Sequence, residues 1–180
     1  PTNTRYSYGC WLFVNSWNTG VRKTIYKREY SVGGGNKKNI ELYLDNTSPI
    51  LKLLVETTTG SDEFVITNNF RLQKWTCVLV SIDNDFVDTY IDGKLLKSHK
   101  VNDIQRSLPG KESKLQMGGP GLDIYVREFK RWTQPVSPVE AWEYYNEGNG
   151  KDSTMSSLAS YGIDVSILKG NIEQTKFSLM

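Results

Sequence analysis

The sequence predicts an all-β fold, an antiparallel two-sheet sandwich with one short C-terminal helix and an extended tail. Three observations point there. Short runs rich in β-branched and aromatic residues recur along the chain. Turn signals separate them about every 8 to 12 residues. A single helical signature stands near the end of the series.

The strands follow in order. Residues 6–14 place Trp11 and Phe13 on one face and Cys10, Leu12 and Val14 on the other. Both faces are apolar, which suits a central strand covered on both sides. Residues 24–32 put Ile25 and Lys27 on one face and Tyr26 and Arg28 on the other. The run Gly33-Gly34-Gly35-Asn36 forces a turn. Residues 39–45 alternate strictly, with Ile40, Leu42 and Leu44 opposed to Glu41, Tyr43 and Asp45. Residues 51–57 and 63–67 follow as further strands. A meander comes next, over 75–83, 86–91 and 94–101. Asp92-Gly93 joins its last two strands, a pair suited to a type I′ turn with positive φ at both positions. Residues 115–117 and 123–132 complete the set.

The helix is predicted over 138–146. Ser137 is the N-cap, Pro138 takes the first helical position and Glu140 closes a capping box. Val139, Trp142 and Tyr145 share a face that is expected to pack. Beyond Gly150 the periodicity fades. Two regions are therefore expected, a sandwich over 1–150 and an extended arm over 151–180. The arm keeps apolar residues, among them Ile163, Val165, Ile167 and Phe177, that need burial on a partner or on the domain itself. The alternation of Ile163, Val165 and Ile167 suits a strand added to an exposed edge.

Composition narrows the function. The 180 residues carry a net charge of only +2, so no dense basic surface for nucleic acid is implied. No apolar run approaches the roughly 20 residues of a membrane span, and no signal peptide is evident. The chain begins at Pro1 rather than Met, so an upstream segment is expected to have been removed. Cys10 and Cys77 lie in apolar strands and are read as buried free thiols, with a disulfide as the alternative. Asn46-Thr47-Ser48 fits the glycosylation pattern and is read as a surface turn.

Four segments in order carry a family resemblance. The run Trp75-Thr76-Cys77-Val78-Leu79-Val80-Ser81-Ile82-Asp83, followed by Thr89-Tyr90-Ile91-Asp92-Gly93, resembles the central hairpin of the concanavalin A-like lectin/glucanase superfamily, in its laminin-G-like and pentraxin-like branch. Tyr6 to Leu12 resembles the early strand of that family, and Leu115-Gln116-Met117-Gly118 a later one. Ile124 to Trp132 with Ser137-Pro138-Val139-Glu140 resembles its closing segment, with Val136 where the family has Leu. The resemblance implies a jelly-roll sandwich. The phrasing of the hairpin and the helix is also similar to single-domain copies in virion proteins of large icosahedral DNA viruses. That likeness implies a minor capsid or virion-associated module, located in the virion, with other capsid proteins as partners. A carbohydrate-binding lectin is the alternative.

Enzymatic chemistry is not expected. The family's glucanases space three carboxylates on one strand face, and the nearest match, Glu41-Leu42-Tyr43-Leu44-Asp45, has Tyr43 in the middle. His99 is the only histidine and sits in a polar stretch, so neither a nucleophilic triad nor a zinc site is supported. No cofactor is expected. Calcium, which the family often holds, has one candidate cluster in Asp83, Asn84 and Asp85. For a sugar, Trp17 beside Asn15 and Asn18 offers a stacking ring with polar neighbours.

Overall fold

The computed structural model describes residues 5–32, 35–101, 113–148, 164–169 and 172–178. Gly33, Gly34 and Ile163 lie outside the described residues. Two compact units are distinguished, Pro1–Asn149 and Gly150–Met180.

The first unit is a sandwich of two antiparallel five-stranded sheets. Its strands are β1 (Arg5–Ser16), β2 (Lys23–Val32), β3 (Gly35–Leu44), β4 (Leu51–Thr57), β5 (Gly60–Thr67), β6 (Thr76–Asp83), β7 (Phe86–Ile91), β8 (Lys94–Lys100), β9 (Ser113–Met117) and β10 (Asp123–Trp132). Sheet A runs β10-β1-β6-β7-β8 and sheet B runs β5-β4-β3-β2-β9. The sheets bury a shared core. Cys10, Leu12, Val14, Val78, Val80, Ile82 and Val87 come from sheet A, and Ile40, Leu42, Leu44, Leu51, Leu53 and Val55 from sheet B. Each such aliphatic side chain contributes roughly 1.5–3 kcal/mol by leaving water. The period of two along β3 and β6 is the pattern expected of them.

The expected alternation of β2 does not hold. A register shift between Thr24 and Tyr26 turns both Ile25 and Tyr26 into the core. A bulge adds one residue against the partner strand and so breaks period two. Lys27 stays outside, opposite Glu41.

Helix α1 (Pro138–Asn146) begins at the Ser137 cap. Glu140 N–H donates to Ser137 Oγ at 3.3 Å, and Ser137 N–H donates to Glu140 Oε2 at 2.7 Å. The helix lies on the outer face of sheet A over a second apolar cluster that includes Trp11, Leu79, Tyr90, Ala141 and Tyr144. This explains why β1 is apolar on both faces. The packed face is not the expected one. Ala141 and Tyr144 are buried and Tyr145 stacks on Trp11, whereas Val139 is 66% and Trp142 44% exposed. Gly9 decides the orientation. It presents no side chain, so Tyr144 and Trp132 close over it, and a Cβ there would lie 2.8 Å from the Tyr144 ring. The Tyr144 hydroxyl then donates to the Glu128 carbonyl at 2.5 Å, at a β10 bulge where Glu128 takes φ +48°.

The second unit contains two strands, β11 (Asp164–Lys169) and β12 (Ile172–Ser178), paired antiparallel. Val165 pairs with Phe177 and Ile167 with Thr175.

Candidate functional site

Helix α1 has only nine residues and cannot cover all of sheet A. Beside it, the outer face carries a row of three rings. Phe13 on β1 is registered opposite Tyr125 on β10, and their rings lie 6.1 Å apart. Trp75, just before β6, lies 5.6 Å from Phe13 on the other side. Tyr125 is 60% exposed; Phe13 and Trp75 are half-buried. Arg127 places its guanidinium 5.5 Å from the centre of the Trp75 ring. At the Tyr125 end stands a polar group. Asp123 Oδ2 accepts from Asn15 Nδ2 at 3.0 Å and from Ser16 Oγ at 2.6 Å, all three exposed. The surface therefore joins planar apolar faces to an amide, a carboxylate and a guanidinium. Planar apolar faces beside polar groups have the chemistry needed to stack a flat ligand and hold its polar groups.

Of the residues proposed from sequence for sugar, Asn15 belongs to this surface. Trp17 does not stand free as a stacking ring. It packs against the main core, and its indole N–H donates to the Asp45 carbonyl at 3.3 Å. The Lys23 ammonium lies 5.0 Å from the centre of its ring. Lys23 is itself 1% exposed and donates to the carbonyls of Asn18 and Val21. Asn18 thus serves the loop through its backbone, and its side chain is exposed.

Asp83, Asn84 and Asp85 form the β6–β7 turn. Asn84 adopts φ +54° and donates to Asp83 Oδ1 at 3.0 Å. Arg5 pairs with the same carboxylate at 2.9 Å. The Asp83 charge is thus already met by a cation within the fold. Among the described residues no group of three or more His, Cys, Asp or Glu side chains is arranged to hold a metal ion.

The outer face of sheet B carries Glu41, and Asp45 follows at the end of β3, the two carboxylates of the incomplete glucanase-like spacing. Glu41 is fully buried there. Its Oε1 accepts from Thr24 Oγ1 at 2.5 Å, and its Oε2 faces Lys38 at 2.8 Å and Arg22 at 2.9 Å. Arg22 lies 3.3 Å from the centre of the Tyr43 ring. Burial, together with a hydrogen bond to Glu63, pushes the Tyr43 hydroxyl well up. Asp45 pairs with Lys52 at 2.6 Å and accepts from Thr47. The Lys52 contact holds the Asp45 carboxyl well below the usual carboxylate range. Both charges are met by neighbouring cations, so this face is an ion network rather than an acid–base pair.

Cys10 and Cys77 are both buried free thiols. They sit on neighbouring strands, but Cys10 faces the inter-sheet core and Cys77 faces the helix. Side chains on opposite faces of one sheet cannot be bridged. Val165, Ile167 and Phe177 fall on the paired strands of the second unit.

The platform was missed in sequence because its three rings come from distant parts of the chain. The available signal was Phe13, placed on the Trp11 face of a strand whose predicted helix is short.

A family model described as the concanavalin A-like lectin/glucanases superfamily matches residues 1–141. No curated protein matches by sequence. Similar solved structures include the receptor binding domain of botulinum neurotoxin type G, at 16% identity and a TM-score of 0.58, covering 81% of this chain and 38% of that one. The binding domain of Paraclostridial mosquitocidal protein 1 is 12% identical with a TM-score of 0.62, covering 80% and 37%. A Trypanosoma rangeli sialidase is 15% identical with a TM-score of 0.61, covering 82% and 24%. The chain spans well under half of each of these proteins, and at such identities the likeness is one of fold.

Proposed function

We propose that this chain, which belongs to the concanavalin A-like lectin/glucanases superfamily, is a non-catalytic binding module that recognises a glycan across the Tyr125–Phe13–Trp75 row. The observation that carries the reading is the exposed Tyr125 ring at the head of that row, next to the Asn15–Asp123 pair. Sugar rings present one C–H face to an aromatic plane and their hydroxyls to amide and carboxylate groups. The receptor-binding and binding domains among the similar folds agree with such a role. The cation-paired state of Glu41 and Asp45 supports the absence of catalysis.

A glycan array probed with the intact chain and with Tyr125→Ala tests this. Binding that drops at least tenfold in the variant is expected. Unchanged binding, or no binding to any glycan, overturns it. Hydrolysis of a β-glucan that disappears in Glu41→Gln would overturn the non-catalytic part.

A second reading is contact with neighbouring proteins in a virus particle, with the 151–180 arm as tether. It rests on the likeness of the Val80–Lys94 phrasing to virion proteins and on the strand-forming apolar residues of the arm. Mass spectrometry of purified particles for this chain and its cross-linked neighbours tests that reading.

A further inference from the structure

The opposite flank of the sandwich is built differently. There β8 ends sheet A and β5 ends sheet B. The two edges are tied together: Phe64 stacks on His99 at 4.1 Å, and Lys97 Nζ donates to the Val65 carbonyl at 2.8 Å. At one end of this rim a cleft of about 180 Å³ opens. Phe70, Ile91 and Leu96 give it apolar walls, and Thr67, Thr76 and Arg71 give it polar ones. A dry apolar cavity of roughly 150 Å³ accepts a benzene molecule. The cleft therefore has room for one phenyl or branched aliphatic side chain. Leu96 is 47% exposed, and Leu72, next to Arg71, is 40% exposed, so apolar surface continues onto the lip.

Charge and backbone add to this. Lys94, Lys97 and Lys100 are exposed along β8. None of them has an ion-pair partner among the described residues. Arg71 at the cleft pairs with Asp92 through one carboxylate oxygen, which leaves most of its five N–H donors available. Among the described residues β8 is the last strand of sheet A, so it also offers backbone groups on one side to an added strand. Edge lysines on their own often only blunt association. Here they flank a cavity with apolar walls, which a purely repulsive edge does not need.

We propose that the β5–β8 rim is a docking surface for an extended acidic peptide segment of a partner protein. The segment lies along β8, sets its carboxylates against Lys94, Lys100 and Arg71, and buries one apolar side chain in the cleft. This surface is separate from the aromatic row, so either can fail without the other.

The test uses the full chain and three fluorescent peptides, read by anisotropy. One is an acetylated Asp-Glu-Phe-Asp-Glu peptide. A second has Gly in place of Phe, and a third has Lys in place of each acid. The first is expected to bind at least tenfold more tightly than the other two. Leu96→Asp, and separately Lys94→Glu with Lys100→Glu, should each weaken it at least tenfold while a circular dichroism melt shows a folded protein. Amide exchange should slow along residues 94–100. Equal affinity for the three peptides, no measurable binding of the first, binding unaffected by both variants, or protection confined to other strands overturns the proposal.

Discussion

The backbone of Gly93 lies directly beneath the indole of Trp142. A Cβ there would fall 2.8 Å from Trp142 Cε3 and 2.9 Å from Tyr145 Cβ. The turn reverses β7 into β8 with Asp92 at φ +49° and Gly93 at φ +74°. Asp92 secures it by accepting from the Cys77 N–H at 3.0 Å and pairing with Arg71. One glycine therefore answers two demands, a left-handed backbone and a close helix.

Gly93→Ala should cost about 2 kcal/mol, since it adds both backbone strain and overpacking. Urea denaturation would show a lower midpoint with an unchanged slope. Asp92→Asn, which keeps a turn-forming residue, should cost less. A Gly93→Ala variant as stable as the parent would mean that the helix does not seat on this turn.

Acid should weaken the fold in part through Asp45. Its carboxyl is held below the ordinary range by Lys52 first and Thr47 second. A depressed folded value means that the contribution is fully present above the unfolded pKa of about 3.9 and is lost as pH falls below it toward the folded value. Asp45→Asn should lower stability by about 2 kcal/mol at pH 7. Its melting temperature should also fall less between pH 4 and pH 2 than that of the parent. Parallel melting curves across that window would remove Asp45 from the account.

Alkylation should report two protected thiols. Burial raises the Cys10 thiol far above its normal range and pushes Cys77 up to about 12. Iodoacetamide at pH 8 should leave the native protein unlabelled. In denaturant, without any reductant, intact mass should show two labels; no label would indicate a disulfide.

If the 151–180 arm serves a partner rather than its own sandwich, removing it should leave the melting temperature within about 2 °C of the parent. If the arm tethers a partner, the same truncation should abolish assembly in size-exclusion chromatography. An unfolded truncated chain, or one that assembles as before, would dismiss the tether.

The fold was readable wherever local rules act alone. Ile40, Leu42 and Leu44 gave their face by alternation, Asp92-Gly93 gave the turn, and Ser137-Pro138-Val139-Glu140 gave the helix start. Readability ended where a contact distant in sequence decides. The bulge that turns Ile25 inward leaves no local mark. Val139 and Trp142 looked like the buried face until Gly9 admitted Tyr144 instead. The same holds for the site. Asn15 was proposed because polar loop residues are visible singly, but the Phe13–Tyr125 pair and the Asn15–Asp123 hydrogen bond come from the β1–β10 register. Trp17, two residues further on, is drawn to the core by Lys23 and Asp45.

Lys23 has one more implication. The carbonyls of Asn18 and Val21 converge on its buried ammonium in the manner that loop carbonyls converge on a bound ion. The counter-charge that gathers this loop is covalently part of the chain and cannot be washed out. Chelators should leave the 17–22 loop closed, and the Asn15 corner of the aromatic row should keep its geometry in calcium-poor and calcium-rich surroundings alike.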